Sequence, residues 1–425
     1  MPHNGSVDGP DERSARAAAL LRRLSGAEGR ALLADLPAYA EDEVLATTAR
    51  LRSTGLDPEL VSAALTQSRL RARAAARLGP VAGRLLLTAD GLEQATRPAV
   101  ARRHAARFVE AGVEHVWDLG SGLGLDALAL AEAGLTVTAV ERDEEVAAAA
   151  SANLAPYPRA RVVHGDAREA TPGPAEGAWL DPARRTPGVA DARGRTRRVF
   201  RLSDLAPSWE HVQEVAAGTA ATGVKLSPGF SSSDLPAGAE AEWVSLDGDV
   251  VECTVWWGAA VRSPGIGAVV GRATDQGVAW VRVAPVPDPP APLEPGDAPG
   301  PWLAEPDRAV LAAGLTGALA AEVGGRELDP GVGYVAAPAP LELAWARWFR
   351  VEEVLPLHPR RVRSWLRARG VSRVTLKKRG VATDPERFRA ELRLRGGRSG
   401  EEATIVLTRV AGTPSALVVV PAVSA

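Results

Sequence analysis

Asp118-Leu119-Gly120-Ser121-Gly122-Leu123-Gly124 sets three glycines at alternate positions, behind the apolar run HVW and ahead of the helical stretch DALALAEAG. Glycines at a strand-to-helix turn let the backbone approach a ligand closely, and the N-terminus of the following helix favours negative charge. The segment reads as a turn for a nucleotide-bearing cofactor. Glu141, nineteen residues after Gly122 at the end of TVTAV, can take ribose hydroxyls by two hydrogen bonds. Two further strand-like runs end in acids, at Gly165-Asp166-Ala167 and Leu180-Asp181-Pro182. With Asp118 they put carboxylates at the C-terminal edges of four strands, where open α/β sheets bind ligands. Gly122-Leu123-Gly124-Leu125-Asp126-Ala127 also satisfies the dinucleotide pattern G-x-G-x-x-G/A, so the turn alone fits a nicotinamide cofactor as well. The row of acids is what distinguishes the alternatives. Lys225 ends a fifth strand, where it either faces the site or forms an ion pair.

Cations form a second pattern. Arg184, Arg185, Arg193, Arg195, Arg197, Arg198 and Arg201 place seven guanidiniums within eighteen residues after Asp181. Residues 341–400 hold 16 Lys/Arg against 6 Asp/Glu, although the net charge of the chain is only -2. That stretch includes Arg360, Arg361, Arg363, Arg367, Arg369, Lys377, Lys378 and Arg379, and two of the three lysines in the chain stand together there. Residues 66–110 add nine Arg against three acids. Forked guanidinium donors suit phosphate, so a polyanion such as RNA is the partner these surfaces imply. Because 47 of the 50 cations are Arg and Ala, Gly and Pro are also abundant, coding bias accounts for part of the excess.

These residues need elements to position them. Residues 11–110 carry apolar residues at i, i+3 and i+4 with Gly or Pro as stops, which predicts helices. EHVWDL, TVTAV, RVVHG, GAWL and TGVKL then alternate with helix-length segments, the pattern of a parallel sheet covered on both faces. AEWVSL and VVECTVWWG flank Asp247-Gly248-Asp249, a hairpin signal. Eight prolines among residues 285–301 exclude a helix or a central strand there. VAWVRVA reads as a strand and EPDRAVLAAGLTGALAAEVG as one helix, and the remainder alternates strands with the helices HPRRVRSWLRARG and DPERFRAELRLRG. Trp256, Trp257, Trp345, Trp348 and Trp365 read as core or domain-interface residues.

The chain has 425 residues, 46% apolar and 24% charged, values of an ordinary soluble folded protein with a large core. Its single cysteine, Cys253, excludes an intramolecular disulfide framework and a Cys-based zinc cluster, and the six histidines show no ligand spacing, so no metal is expected. Without an export signal or an apolar span, the expected location is cytoplasmic and the chain is not expected to enter a membrane.

The ordered set of motifs resembles the class I S-adenosylmethionine-dependent methyltransferases. DLGSGLG looks like their cofactor loop, Glu141 like the ribose acid, Asp166 with Ala167 like the adenine edge, and Asp181-Pro182 like the catalytic motif. LEQATRPAVARRHAARF (92–108), which contains Thr96, resembles a segment lying over the cofactor in bacterial relatives of the trimethylguanosine synthase group. DPARR (181–185), KLSPG (225–229), WLAEPDRAVLAAGL (302–315) and VTLKKRG (374–380) resemble the actinobacterial methyltransferases with a THUMP-like C-terminal domain. The resemblance implies an α/β protein: a helical N-terminal domain (1–100), a Rossmann-like methyltransferase sheet (101–259), a small ferredoxin-like α+β domain (260–343, with the Pro-rich insertion 285–301) and a basic THUMP-like domain (344–425). It further implies S-adenosylmethionine as cofactor, held by Asp118, Gly120, Ser121, Gly122, Gly124, Glu141, Asp166, Ala167 and Thr96. Transfer would go to a tRNA or rRNA base, with Asp181 and Pro182 catalytic and Arg184, Arg185, Arg197, Arg198, Lys377, Lys378 and Arg379 on the RNA. One departure is chemical. Amino-group methyltransferases of this type usually follow Asp/Asn-Pro with Pro and an aromatic ring that stacks on the base, whereas Asp181-Pro182 is followed by Ala183-Arg184. A non-catalytic RNA-binding protein and a small-molecule or protein methyltransferase remain the alternatives.

Overall fold

A computed structural model describes residues 10–184, 201–394 and 401–422. These fall into two compact units. The first holds the chain to Leu226 with Pro236–Glu240 and Thr254–Pro264; the second holds Ser227–Leu235, Ala241–Cys253 and everything from Gly265 onward.

The first unit begins with helices α1 (Pro10–Ser25), α2 (Ala27–Asp35), α3 (Val44–Ser53), α4 (Pro58–Leu78), α5 (Ala89–Gln94) and α6 (Pro98–Glu110). Local chemistry sets their starts: Asp57 accepts from Glu59 N ahead of Pro58, and Thr88 accepts from Gly91 N. Alternation follows as β1 (His115–Leu119), α7 (Leu125–Glu132), β2 (Thr136–Glu141), α8 (Glu144–Leu154), β3 (Ala160–His164), β4 (Gly177–Leu180), the two-residue strands β5 (Ala183–Arg184) and β6 (Leu205–Ala206), α9 (Trp209–Gly218) and β7 (Ala221–Leu226). β3, β2, β1, β4 and β7 lie side by side in that order, and their ladders are parallel. The apolar runs of β1, β2, β4 and β7 are those of strands covered on both faces, whereas the edge strand β3 has no buried residue.

Three aromatic side chains anchor this unit. Phe108 and Trp179 are 0% exposed and Trp256 is 2% exposed, with Trp179 and Trp256 centroids 5.4 Å apart and Phe108 edge-on to Trp256 at 5.7 Å. Gly223 makes the room: a Cβ there would lie 2.4 Å from the Trp256 ring and 2.9 Å from Trp179. α1 lies along α8, where Arg22 pairs with Glu144 at 2.9 Å and Ser14 Oγ accepts from Glu145 N at 3.3 Å. Helices α1 to α4 share a continuous hydrophobic core with the sheet helices.

In the second unit β8 (Glu240–Leu246) and β9 (Asp249–Gly258) form the expected hairpin, with Asp247 at φ 52° and Gly248 at φ 88°, the left-handed pair of a tight two-residue turn. β10 (Gly265–Thr274) and β11 (Gly277–Val283) pair antiparallel and continue the order β11-β10-β8-β9. Strand β9 serves both units, since its residues from Thr254 belong to the first. Residues 284–301 form neither helix nor strand. A second sheet follows, built from β12 (Trp302–Pro306), β13 (Arg326–Glu327), β14 (Val335–Ala337), β15 (Ala346–Pro356), β16 (Val371–Lys378), β17 (Glu401–Val410) and β18 (Thr413–Pro421), in the order β13-β14-β12-β15-β18-β17-β16. Its helices are α10 (Arg308–Ala312), α11 (Thr316–Glu322), α12 (Pro359–Ala368) and α13 (Pro385–Leu392).

Two expectations change here. The single helix read over 305–324 is a strand end followed by two short helices, because Gly314 at φ 71° breaks the run. Residues 260–343 do not build a sheet of their own. β10 and β11 extend the hairpin, while β12 pairs with β15 along five residues from Trp302 to Pro306, so the strand pairing is non-local.

Candidate active site

The glycine turn is built by φ values that side chains disfavour. Gly120, Gly122 and Gly124 stand at φ 86°, 54° and 78°. Gly120 N and Ser121 N both donate to Val140 O, at 3.0 and 3.1 Å, and Asp181 N donates to Leu119 O at 3.1 Å. The turn, the end of β2 and the segment after β4 are thus fastened at one sheet edge. Gly120 packs closest: a Cβ there would lie 2.9 Å from Asp181 O, whereas one at Gly122 would have nothing within 4 Å. Glu141 reaches back to the turn, its Oε2 accepting from Gly122 N at 2.9 Å and its Oε1 from Asp143 N at 2.9 Å. A carboxylate has about four acceptor positions, so two remain for hydroxyls.

Below the turn lies a buried polar network. Asp118 is 1% exposed, and neither carboxylate oxygen has a hydrogen bond of normal geometry among the described residues. Burial, with the like charges of Asp126 and Asp181, pushes its carboxyl well above the ordinary range, against the opposing pull of Lys225 and the Ala127 N–H. Asp126, in the first turn of α7, accepts from Thr96 Oγ1 at 2.7 Å and from the His104 Nδ1–H at 2.7 Å. Burial alone would raise the Asp126 carboxyl, but the hydrogen bond and charge of His104, then Lys225 and Thr96, hold it below the usual value. The His104 ring stacks on Trp179 at 4.1 Å. Lys225 Nζ donates to Thr96 Oγ1 at 3.2 Å and pairs with Asp181 Oδ2. Asp181 is 31% exposed and Lys225 17%, so this chain of groups opens to solvent at Asp181. Pro182 behind it is buried.

Among the sequence-derived residues, the structure brings Asp118, Thr96, Asp181 and the glycine turn together, with Glu141 on the turn. Asp166 is held elsewhere: Arg168 takes it through Nε, Nη2 and the backbone N, which brings its carboxyl down to about 2. Ala167 is buried beside it. Sequence reasoning left Lys225 open and missed Asp126 and His104. Asp126 had a local signal, as an acid in the first turn of the helix after the glycines.

Of the basic candidates, Arg185, Arg197 and Arg198 lie outside the described residues, and Arg184 is placed only as backbone of β5. Lys377 pairs with Glu305 Oε2 and lies 4.9 Å from the Phe349 ring centroid. Arg379 bonds Glu305 Oε1 at 3.3 Å and Gly333 O at 2.8 Å. Both are therefore engaged inside the second unit, while Lys378 is exposed. On α12 and its C-cap, Arg360, Arg361, Arg363, Arg367 and Arg369 have no carboxylate within ion-pair distance among the described residues, and Arg369 stacks over Trp365 at 4.1 Å. Among the described residues, no group of three or more His, Cys, Asp or Glu could hold a metal and no helix is long and apolar enough to cross a membrane.

A glycine turn between a parallel strand and a helix, with acids at the neighbouring strand ends, defines an α/β nucleotide-cofactor enzyme. Comparison with known proteins narrows the class. The chain is 32% identical over 365 residues to an uncharacterized S-adenosylmethionine-dependent methyltransferase of Mycobacterium tuberculosis, covering 80% of this chain and 90% of the relative. A solved structure from Porphyromonas gingivalis W83, assigned as a methyltransferase, matches with a TM-score of 0.67 at 21% identity, over 91% of this chain and 100% of that one. Residues 346–421 match the family model described as THUMP domain-like, and residues 17–74 match a domain of unknown function, DUF8688. The chain belongs to the S-adenosylmethionine-dependent methyltransferases, and S-adenosylmethionine is its cofactor.

Proposed function

We propose that the protein is a cytoplasmic enzyme that transfers the methyl group of S-adenosylmethionine to a base of a structured RNA, a tRNA or an rRNA. The observation that carries the RNA reading is the row of arginines without carboxylate partners on α12, within the segment similar to THUMP domains. Arg184, Arg185, Arg197, Arg198 and Lys378 would add phosphate contacts. Lys377 and Arg379 would serve instead to hold the end of β16 through Glu305.

The residues present suit the cofactor. Ser121 Oγ is buried without a partner among the described residues, Gly122 leaves open space, and Glu141 keeps acceptor capacity. Asp118, Gly120, Ser121, Gly122, Gly124 and Glu141 would hold S-adenosylmethionine, which supplies an electrophilic methyl group on a sulfonium, and Ala167 with Asp166, its carboxylate engaged by Arg168, would border the adenine. Asp181 would accept a hydrogen bond from the acceptor atom, orient it and take the proton it sheds. Pro182 fixes the backbone that turns this carboxylate toward the acceptor. Lys225 would hold the Asp181 carboxylate in place, and Thr96 would act through Lys225.

RNA retention measured across a salt series tests the reading. Affinity should fall steeply with salt, and an Arg361→Gln/Arg367→Gln variant should bind more weakly, with a slope shallower by about 0.7 per lost phosphate contact on single strands. Salt-insensitive binding, or a variant indistinguishable from wild type, would turn the proposal toward a small-molecule or protein acceptor.

A further inference from the structure

A cavity of about 280 Å³ lies within the first unit, between α1, α2 and α4 on one side and α8 with the end of β3 on the other. Its wall contains the side chains of Arg22, Arg30, Arg71 and Arg84 and no Asp or Glu. Two of these guanidiniums are neutralised, Arg22 by Glu144 at 2.9 Å and Arg84 by Glu132 at 2.7 Å. The other two bond only backbone carbonyls among the described residues: Arg30 to Ser25 O, and Arg71 Nε to Leu85 O at 2.9 Å.

Arg71 is the telling residue. It is partly buried, burial holds it below its ordinary value, and a guanidinium does not give up its proton in a protein. Buried charges are normally paired, so a wall on which Arg30 and Arg71 lack a carboxylate partner among the described residues is suited to an anion supplied from outside. Ser151 on α8 adds a hydroxyl from the opposite wall, and Leu24 and Leu86 add apolar surface. Forked donors on two residues fit the tetrahedral oxygens of phosphate.

We propose that this cavity is a phosphate-binding site, taking a phosphate monoester or one phosphodiester of a nucleic acid between Arg30, Arg71 and Ser151. No residue of the glycine turn lines it, and it stands whether or not RNA is the methyl acceptor. It would also give residues 17–74, which supply Arg22, Arg30 and Arg71, a task as one wall of an anion site.

The test uses the full chain. Thermal stabilisation is measured with inorganic phosphate, with adenosine 5′-monophosphate and with an oligouridylate, each against chloride at equal ionic strength. The variants are Ser151→Asp, which places a carboxylate in the cavity while leaving every arginine, and Arg30→Gln at an exposed position. Wild type should be stabilised by phosphate beyond chloride, and both variants should bind it at least tenfold more weakly. If the oligouridylate competes with phosphate and loses affinity in the same variants, the natural source is an RNA backbone; if only the monophosphates bind there, it is a small phosphorylated molecule. Wild-type protein indifferent to all three probes, or variants that respond as wild type does, would overturn the proposal.

Discussion

Replacing Gly120 by Ala separates two effects that its neighbour Gly122 does not combine. Both glycines occupy left-handed backbone, at φ 86° and 54°, so each Ala variant carries a conformational strain of about 1–2 kcal/mol. Only Gly120 adds a collision, since its new Cβ would lie 2.9 Å from Asp181 O, a backbone atom fixed by the Asp181 N to Leu119 O hydrogen bond at 3.1 Å. Relief requires the segment carrying Asp181 to move away from the turn, and crowding of this kind costs about 1–3 kcal/mol more. A displacement of about 1 Å at a reacting group can lower a rate about 100-fold. Calorimetric cofactor binding and single-turnover methyl transfer should therefore separate the two variants. Gly122→Ala is expected to lose cofactor affinity modestly and keep its transfer rate once saturated; Gly120→Ala is expected to lose about two orders of magnitude in the saturated rate. Equal losses in both variants would refute the coupling between the turn and Asp181.

Other consequences follow from the same geometry. Lys225→Met should bind S-adenosylmethionine with wild-type affinity and transfer slowly, with Lys225→Arg partly restoring the rate; a wild-type rate in Lys225→Met would remove its positioning role. Asp118 carries a folded-state value well above 3.8, so the stability it lends is full below about pH 3.8 and is lost as pH rises toward the folded value. Asp118→Asn lacks that loss: its unfolding free energy should gain on wild type as pH rises above about 3.8, by at most about 1.4 kcal/mol per pH unit, while cofactor affinity falls. A gap that stays constant or shrinks with pH would contradict the assignment. Lys377→Met should destabilise the second unit by about 1–2 kcal/mol, discounted for partial exposure of the pair, and leave RNA affinity within twofold; denaturant melts and filter binding read the two separately.

Much of this architecture was legible because its causes are local. The glycine turn, the acids at Glu141 and Asp181 and the Asp247-Gly248 hairpin each announce themselves within a few residues, through backbone freedom or strand-end position. What escaped reading depends on long-range proximity. Thr96 meets Asp126 thirty positions on and Lys225 at a separation of 129, and neither spacing has a periodicity to betray it. Glu305 likewise captures Lys377 and Arg379 across separations of 72 and 74, so a basic run that reads as an RNA contact is partly an internal ion-pair cluster. Residues 260–343 looked like one small domain because strands and helices alternate there, yet their partners were chosen by pairing with β8 and with β15.

The most direct test of the central claim supplies radiolabelled S-adenosylmethionine and total RNA from cells lacking this gene to the wild-type protein and to Asp181→Ala. Size-resolved products and a parallel measurement of cofactor affinity complete it. Label is expected in one RNA size class with wild type and in none with Asp181→Ala, with cofactor affinity unchanged between them. Cofactor binding without label in any RNA, or equal labelling by the two proteins, would contradict it.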